Sequence, residues 1–482
     1  MLTPNREIDA KYLRTIRQTL KEVVLPEVSS AAGRNAAGLC DFILLRMIAA
    51  LEELPAIQAR HGDAYRSLLG RAQHLVGQPQ AAGADLPIWA AARDLQVLVP
   101  DLFEAAQSHD TARRSEALSL LAAVAETESE FRHDYEAAYK RAEAKPEPRL
   151  QSLLVTGERV DQYLQARFAG RNIRLRSCHQ IPGGRSKLTV LLSVEPNADL
   201  PEEMVIRIDA PGSAIDTTVR DEFPILDVMY RKGIAAPEPL WVEPDSQHLG
   251  APFLVMRRMP GAAAGDLWGA QKVSPAIGLA LAEALAGIHQ ANVAAIWPEA
   301  PSAARDAVKQ MLDRFEATWR QGNSTPSIGM EGGYGWLRQH LHCIDGPTAA
   351  VHGDAHFANL LAQDDKLVCL LDWEFAHPGH PADDLAYCRP YVETIMPWGD
   401  FLAHYRKHGG PDVSEEQLRF FAVWGFLRNI TFGANMLRDF HAGRLHGIQH
   451  LAIALNTRAR IEALLSRSVA DALARDAADT RL

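Results

Sequence analysis

Val351-His352-Gly353-Asp354-Ala355-His356-Phe357-Ala358-Asn359-Leu360-Leu361 is followed shortly by Leu370-Leu371-Asp372-Trp373-Glu374. An Asp and an Asn five residues apart, then a second Asp after a short apolar run, is the set of groups that phosphoryl transfer requires. One carboxylate orients an acceptor hydroxyl and takes its proton. A second carboxylate and an amide oxygen hold Mg2+ against the phosphates of a nucleotide. On this reading Asp354 is the base, and Asn359 and Asp372 are the metal ligands. His352, two residues before the base, is expected to be a scaffold residue. A zinc site from His352, His356, His377 and His380 is conceivable from composition, but their spacing is not that of a metal site. Asp384 is expected to anchor the start of the next helix.

Working outward, the chain before this stretch changes character twice. Ile173–His179, Leu188–Val194, Met204–Ile208, Leu240–Val242 and Phe253–Met256 are short runs rich in branched residues and read as strands. Thr218–Arg231 has helical spacing, with Pro224 as a start or kink point. Past Gly261 helices are expected at about 275–291, 303–320 and 334–343. Before residue 145 the pattern is helical throughout. Ile8, Tyr12, Ile16, Leu20 and Val23 make one stripe, stopped by Pro26. Leu39, Phe42, Ile43, Met47, Ile48, Leu51 and Leu54 make a second, ended by Pro55, and a third helix runs from an N-capping Asp110 to Ala144. Lys145-Pro146-Glu147-Pro148-Arg149 then reads as a stiff linker. The expected organisation is an all-helical domain over 1–145, an antiparallel sheet plus helix over 150–258, and a helical lobe carrying the catalytic loop over 259–482. A fragment starting near Gln151 is expected to fold and bind nucleotide.

Composition narrows the function classes. The 482 residues are 47% apolar and 23% charged, ordinary for a soluble globular protein. Sixty acidic against fifty basic residues give a formal charge of -10, without the basic stripe of a nucleic-acid binder. Five cysteines without a CxxC spacing fit a reducing, cytoplasmic setting, and no apolar run reaches the ~20 residues of a membrane span. Neither nucleic acid nor membrane is an expected partner; a small-molecule hydroxyl acceptor is, and a homodimer is left open.

His352-Gly353-Asp354-x4-Asn359 with Leu371-Asp372-Trp373-Glu374-Phe375-Ala376-His377-Pro378-Gly379-His380-Pro381-Ala382-Asp383-Asp384-Leu385-Ala386 resembles the aminoglycoside phosphotransferase/choline kinase family. The subgroup it is most similar to is the kinase domains of acyl-CoA dehydrogenase family members 10 and 11. The resemblance spans roughly 175–460. It implies an α+β, bilobal, protein-kinase-like fold with an all-helical N-terminal extension, and ATP and Mg2+ as cofactors. It implies that Gly183, Gly184 and Ser186 lie in a loop over the phosphates. Arg207 then pairs with the α/β phosphates and Glu222 orients Arg207. Backbone groups around Met256 and Arg257 form the hinge that meets the adenine edge. The family often has a second basic residue directly after the first; Ile208 stands there, leaving one phosphate contact missing or supplied by Arg185.

The expected activity is transfer of the γ-phosphoryl group of ATP to a hydroxyl of a small molecule, such as a hydroxyacyl-CoA or related metabolite. The alternatives are an antibiotic kinase of the aminoglycoside or macrolide type and a catalytically silent nucleotide-binding regulator. A protein kinase is disfavoured by the short segment after Asp372, and a scaffold role for the helical domain is the remaining contrast. Residues 401–460 hold Arg406, Lys407, Arg419, Arg428, Arg438, Arg444, Arg458 and Arg460 against Asp412, Glu415, Glu416 and Asp439, with His404, His408, His441, His446 and His450. If these wall the acceptor pocket, their sign disfavours a polycationic drug.

Overall fold

The computed structural model describes residues 30–79, 86–142, 155–171, 173–181, 187–209, 217–265, 272–322, 327–441 and 460–479, with single positions at 13, 17, 20, 24, 25 and 28. Of the stripe over Ile8–Val23 only Leu20 is described, and the Pro-rich linker lies outside the described residues. So do Gly183, Gly184, Arg185 and Ser186. Among the described residues, no helix is long and apolar enough to cross a membrane.

The helices of two turns or more among the described residues are, in chain order, α1 (Ala31–Glu52), α2 (Leu54–Val76), α3 (Ile88–Ala105), α4 (Thr111–Ala142), α5 (Gly157–Arg167), α6 (Val219–Arg231), α7 (Pro275–His289), α8 (Ala304–Gly322), α9 (Ile328–His340), α10 (Ala382–Val392), α11 (Trp398–Lys407), α12 (Glu415–His441) and α13 (Glu462–Asp479). Strands β1 (Leu175–Ile181), β2 (Lys187–Val194), β3 (Glu203–Asp209), β4 (Pro239–Glu243) and β5 (Phe253–Arg257) precede α7. β6 (Ala262–Ala263), β7 (Ala349–Val351), β8 (Leu360–Gln363), β9 (Lys366–Leu370) and β10 (His377–Gly379) surround the loop quoted above. Local chemistry explains the boundaries. Asp110 caps α4, its Oδ1 accepting from the N–H of Ala112 at 2.9 Å and of Arg113 at 3.2 Å. Pro55 falls in the first turn of α2, where a missing N–H costs nothing, so it opens a helix as well as ending one. Thr218 and Asp221 close a reciprocal capping box on α6, which then runs through Pro224.

The chain divides into two units, one of residues 1–152, 312–341 and 423–482, the other of 153–311 and 342–422. This departs from the expected boundaries. The helical body is not confined to 1–145; α9, α13 and the later part of α12 belong to it, so the expected lobe over 259–482 is not one body. Within the helical unit α4 packs along α13, and α9 packs on α3, α4 and α13. Gly335 lets α9 close on α3, since a Cβ there would overlap the Phe103 ring. Buried Arg132 on α4 joins Glu128 at 2.7 Å to Glu462 of α13 at 2.8 Å, and Tyr65 donates its hydroxyl to Glu128. Trp336 Nε1 donates to Asp476 at 2.8 Å.

The second unit carries the α+β architecture that the sequence implied. Its sheet is antiparallel throughout, in the order β1-β2-β3-β5-β4, with Thr189 opposite Arg207 and Lys187 opposite Asp209. Val190, Leu192, Met204, Ile206, Phe253 and Val255 form one buried layer with Val160 and Leu164 of α5. The following, mainly helical region holds β7 paired to β10 and a sheet of β6-β8-β9. The two short apolar runs of the sequence are β8 and β9, a hairpin that delivers Asp372.

Two predictions follow from this arrangement. A fragment beginning at Gln151 lacks α1–α4 and leaves the buried faces of α9 and α13 uncovered, at a cost of about 1.5–3 kcal/mol for each large apolar side chain exposed. It is expected to aggregate or to lack near-UV circular dichroism, the reverse of the sequence-based expectation; a monomeric fragment with a native near-UV spectrum would restore the boundary at 145. The second concerns His380, buried against Phe421 with its Nδ1 accepting from the N–H of Ala382. Burial pushes its imidazole down to about 4 from 6.5. The unfolded chain therefore binds the extra proton first, and stability present above pH 6.5 is lost as pH falls towards 4, by roughly 3 kcal/mol. In His380→Asn, which keeps an acceptor but cannot titrate here, urea unfolding midpoints should vary less between pH 7 and 4.5 than in the wild type.

Candidate active site

The loop between β7 and β8 is shaped by a residue far along the chain. Asp384, in the first turn of α10, is fully buried. Its Oδ2 accepts from the backbone N–H of His352 at 2.8 Å and its Oδ1 from that of Gly353 at 2.7 Å. Burial pushes this carboxyl up. The hydrogen bond from His289 Nε2, at 3.1 Å, and the loop N–H groups overcome that and hold it below the usual carboxylate range. His289 Nδ1 in turn meets the Tyr405 hydroxyl at 2.6 Å. Asp384 thus anchors the loop more than its own helix. Gly353 sits at φ 81°, and a Cβ there would come within 2.5 Å of the Phe375 carbonyl oxygen, so only glycine fits.

His352 is the scaffold expected of it. Its Nδ1 accepts from the N–H of Asp354 at 3.2 Å, so Nε2 carries the proton and donates to the Leu371 carbonyl at 3.1 Å. Burial lowers its pKa and keeps the ring neutral. Asn359 is equally committed. Its Nδ2 donates to Asp354 Oδ2 at 2.8 Å and to the Asp354 carbonyl at 3.0 Å, while its own carbonyl accepts from Leu371 N–H at 2.7 Å. Both backbone groups of Leu371 are therefore held by the loop, which fixes the start of Asp372 relative to Asp354. Asp372 takes the left-handed conformation, φ 66° and ψ 64°, unusual for a residue with a side chain.

Arg207 faces Asp372 from β3, its Nη2 at 2.7 Å from Oδ1, 3.4 Å from Glu374 Oε2 and 3.7 Å from Glu222 Oε1. Burial works against the charges of Asp372 and Arg207. The pair nonetheless holds Asp372 below the usual carboxylate range, and the three carboxylates keep Arg207 protonated. Burial wins at Glu222, whose pKa is raised despite Arg207 and Lys187. Buried Arg207 Nε and Glu222 Oε1 have no hydrogen-bond partner among the described residues. An oxyanion against Arg207 would satisfy the first, and Asp372 with the Asn359 amide oxygen is a hard-oxygen pair of the type Mg2+ takes. These residues fit a nucleotide with its metal.

Three participants escaped the sequence reading. Tyr387 of α10 donates its hydroxyl to Asp354 Oδ1. Glu374 is the third carboxylate on Arg207. Lys187, 1% exposed at its side chain, places Nζ 2.6 Å from the Thr217 carbonyl, 3.4 Å from Asp209 Oδ1 and 3.9 Å from Glu222 Oε1. It is a second cation on the face that also bears Arg207, where the sequence had shown only the apolar Ile208. The register Lys187 opposite Asp209 is the signal that a strand alignment would have revealed.

Other expectations are corrected. The N–H groups of Arg257 and Arg258 are spent on the Glu238 and Glu203 carbonyls, at 2.9 and 3.1 Å, because β5 runs on through Arg257. Met256 is paired within the sheet as well, so the hinge contacts assigned to Met256 and Arg257 are left to carbonyls or to the chain beyond them. The four histidines near the loop do not converge. His356 Nδ1 accepts from Ala358, His377 Nε2 lies 3.2 Å from Asp383, and His352 and His380 are bound as described. The basic stretch over 401–460 is divided. Arg428, Arg438 and Arg460 fall in the helical unit, Arg444 and Arg458 lie outside the described residues, and Arg406, Lys407 and Arg419 remain in the catalytic unit, where Arg406 pairs with Asp412.

The geometry agrees with what the chain is similar to. Acyl-CoA dehydrogenase family member 11 of Rattus norvegicus is 23% identical over 309 residues, 58% of this chain and 40% of the relative. Acyl-CoA dehydrogenase family member 10 of Mus musculus is 25% identical over 252 residues, 51% of this chain and 23% of the relative. The chain spans less than half the length of either. A solved structure from Ralstonia eutropha JMP134, provisionally designated an aminoglycoside phosphotransferase, has the same fold, with a TM-score of 0.50 at 19% identity, over 65% of this chain and 98% of that one. The phosphotransferase enzyme family model matches residues 177–421, just over half of the chain, and ends one residue before the catalytic unit does. With a fixed Asp–Asn loop, an Arg-paired Asp and the sheet and helix that hold them, the chain belongs to the phosphotransferase enzyme family.

Proposed function

We propose that the protein transfers the γ-phosphoryl group of ATP to a hydroxyl of a small molecule. The observation that carries this is the doubly held Leu371, which locks the carboxylate of Asp354 and that of Asp372 into one frame. Asp354, with one oxygen bound by Asn359 and the other by Tyr387, aligns the acceptor and takes its proton as the acceptor oxygen bonds to phosphorus and the bond to the ADP oxygen breaks. Asp372 and Asn359 would hold Mg2+, which when bound neutralises charge on the phosphates. Arg207, kept in place by Glu222, Asp372 and Glu374, steadies the phosphates from the sheet side, and Lys187 supplies the second positive charge beside it. Water exclusion and orientation follow from burial of the frame.

The acceptor reading rests on what surrounds Asp354. Among the described residues, the side chains against it include the Tyr387 hydroxyl, the Asn359 amide and the His356 imidazole, whose Nε2 is 3.7 Å from Oδ2, with the Tyr391 ring tilted against the His356 ring at 5.6 Å. An aromatic margin without a second carboxylate among these side chains suits a hydroxylated metabolite better than a polycation. The names of the relatives, which are acyl-CoA dehydrogenases, support a hydroxyacyl-CoA or a compound of that kind.

Asp354→Asn removes the proton acceptor while keeping the shape. ATP affinity should stay within a few-fold of wild type, and turnover should drop about 10²–10⁴-fold. A purified variant with wild-type turnover would remove Asp354 from the mechanism. Asp372→Ala should instead act on binding. Calorimetric titration with ATP, with and without Mg2+, should show a metal-dependent gain for wild type and its loss in the variant; an unchanged gain would assign the metal elsewhere. Screening the wild type against hydroxyacyl-CoAs and kanamycin-type drugs tests the acceptor, with phosphorylation of the former expected and of the latter not.

A further inference from the structure

We infer that Glu283, His404 and His408 form a surface site for a zinc-class transition-metal dication, separate from the phosphoryl-transfer site. His404 and His408 are four residues apart on α11 and at its C-cap, so they project from one face. Their ring centroids are 4.3 Å apart. α7 packs against α11 and brings Glu283 to the same place. His408 Nε2 is 3.7 Å from Glu283 Oε2, and one ligand atom from each of the three residues lies within 4.8 Å of the others. Adjacent donors around a tetrahedral zinc with bonds of about 2.0–2.1 Å are roughly 3.4 Å apart. Side-chain rotations alone close the difference.

The site is supported as well as clustered. His408 Nδ1 sits 2.9 Å from the His404 carbonyl and can only donate to it, which leaves the Nε2 lone pair facing Glu283. That backbone hydrogen bond is the kind that fixes tautomer and ring orientation in metal-ligating histidines. Gln290, at the end of α7, donates to the His408 carbonyl at 3.0 Å and to the Ala286 carbonyl at 2.8 Å, mooring the end of α11 to α7. One step further along the same two helices, His289 and Tyr405 join them again. The distance between the ligands is thus set before any metal arrives. Two imidazoles and one carboxylate suit Zn2+ or Co2+ with water in the fourth position, whereas Mg2+ prefers oxygen donors. The four histidines around the catalytic loop offer no such convergence, each being tied to backbone or to a carboxylate.

The test uses the full chain without nucleotide. Calorimetric titration with ZnCl2 should show one site per chain, and Co2+ should give the intense visible absorption of tetrahedral coordination. Glu283→Gln, at an exposed position that leaves the fold intact, should weaken Zn2+ binding by roughly 10–100-fold. The His404→Ala/His408→Ala double variant should lose both signals. The melting temperature should rise with Zn2+ in the wild type and stay put in the double variant. Asp372→Ala should bind Zn2+ as the wild type does. Absence of stoichiometric binding, binding that survives the double variant, or binding lost in Asp372→Ala instead would overturn the assignment.

Discussion

The buried carboxylate of Asp384 is the interaction on which the catalytic unit turns. Two consecutive backbone N–H groups, of His352 and Gly353, point into the interior where water cannot reach them, and both end on this one side chain. Leaving a buried donor unpaired costs about 1–3 kcal/mol, so the loop has one conformation in which its N–H groups are satisfied. The carboxylate that this places in the interior takes a further hydrogen bond from His289, itself held by Tyr405. Four segments distant in sequence, α7, the loop, α10 and α11, are thereby fixed to one another by polar contacts rather than by apolar packing alone.

From that anchor the order propagates. A loop fixed at Gly353 presents His352 to the Leu371 carbonyl and Asn359 to the Leu371 N–H, and Asp372 follows directly. The left-handed backbone at Asp372 is the strained point of the chain here, and it turns the carboxylate towards Arg207. Arg207 in turn gathers Glu222 and Glu374, so that one guanidinium balances three acids. The site is thus a balance of charges in which nearly every member depends on another.

The sequence disclosed those parts whose chemistry is concentrated in a few adjacent residues. The His-x-Asp-x4-Asn loop and Asp372 stood out by residue identity and spacing, Arg207 and Glu222 only through the family resemblance, and the strands because their branched residues run without interruption. What was hidden depended on contacts between distant segments. Lys187 reads as the polar edge of a strand until the register sets it opposite Asp209, and Tyr387 reads as one more helical aromatic until α10 turns it onto Asp354. The first half of α9, Ile328-Gly329-Met330-Glu331-Gly332-Gly333, precedes the helix expected from 334, and glycine is a poor helix former. The glycines of α9 are what lets it approach its neighbours, with Gly329 against Ser466 and, further along, Gly335 against Phe103. The break expected at 145 lies close to the division after Ser152, but the later helices that join residues 1–152 were hidden, since proline punctuation marks where a chain bends and not which segments share a core.

The double tether on Leu371 has an evolutionary consequence. Because the carboxylates of Asp354 and Asp372 are set against each other by the backbone of a single intervening residue, their separation is insulated from the rest of the protein. Tyr391, which meets Asp354 only across the His356 ring, can change without touching either tether. A scaffold built this way can exchange one phosphoryl acceptor for another through substitutions at its margin, and lineages that do so keep the same frame at every step.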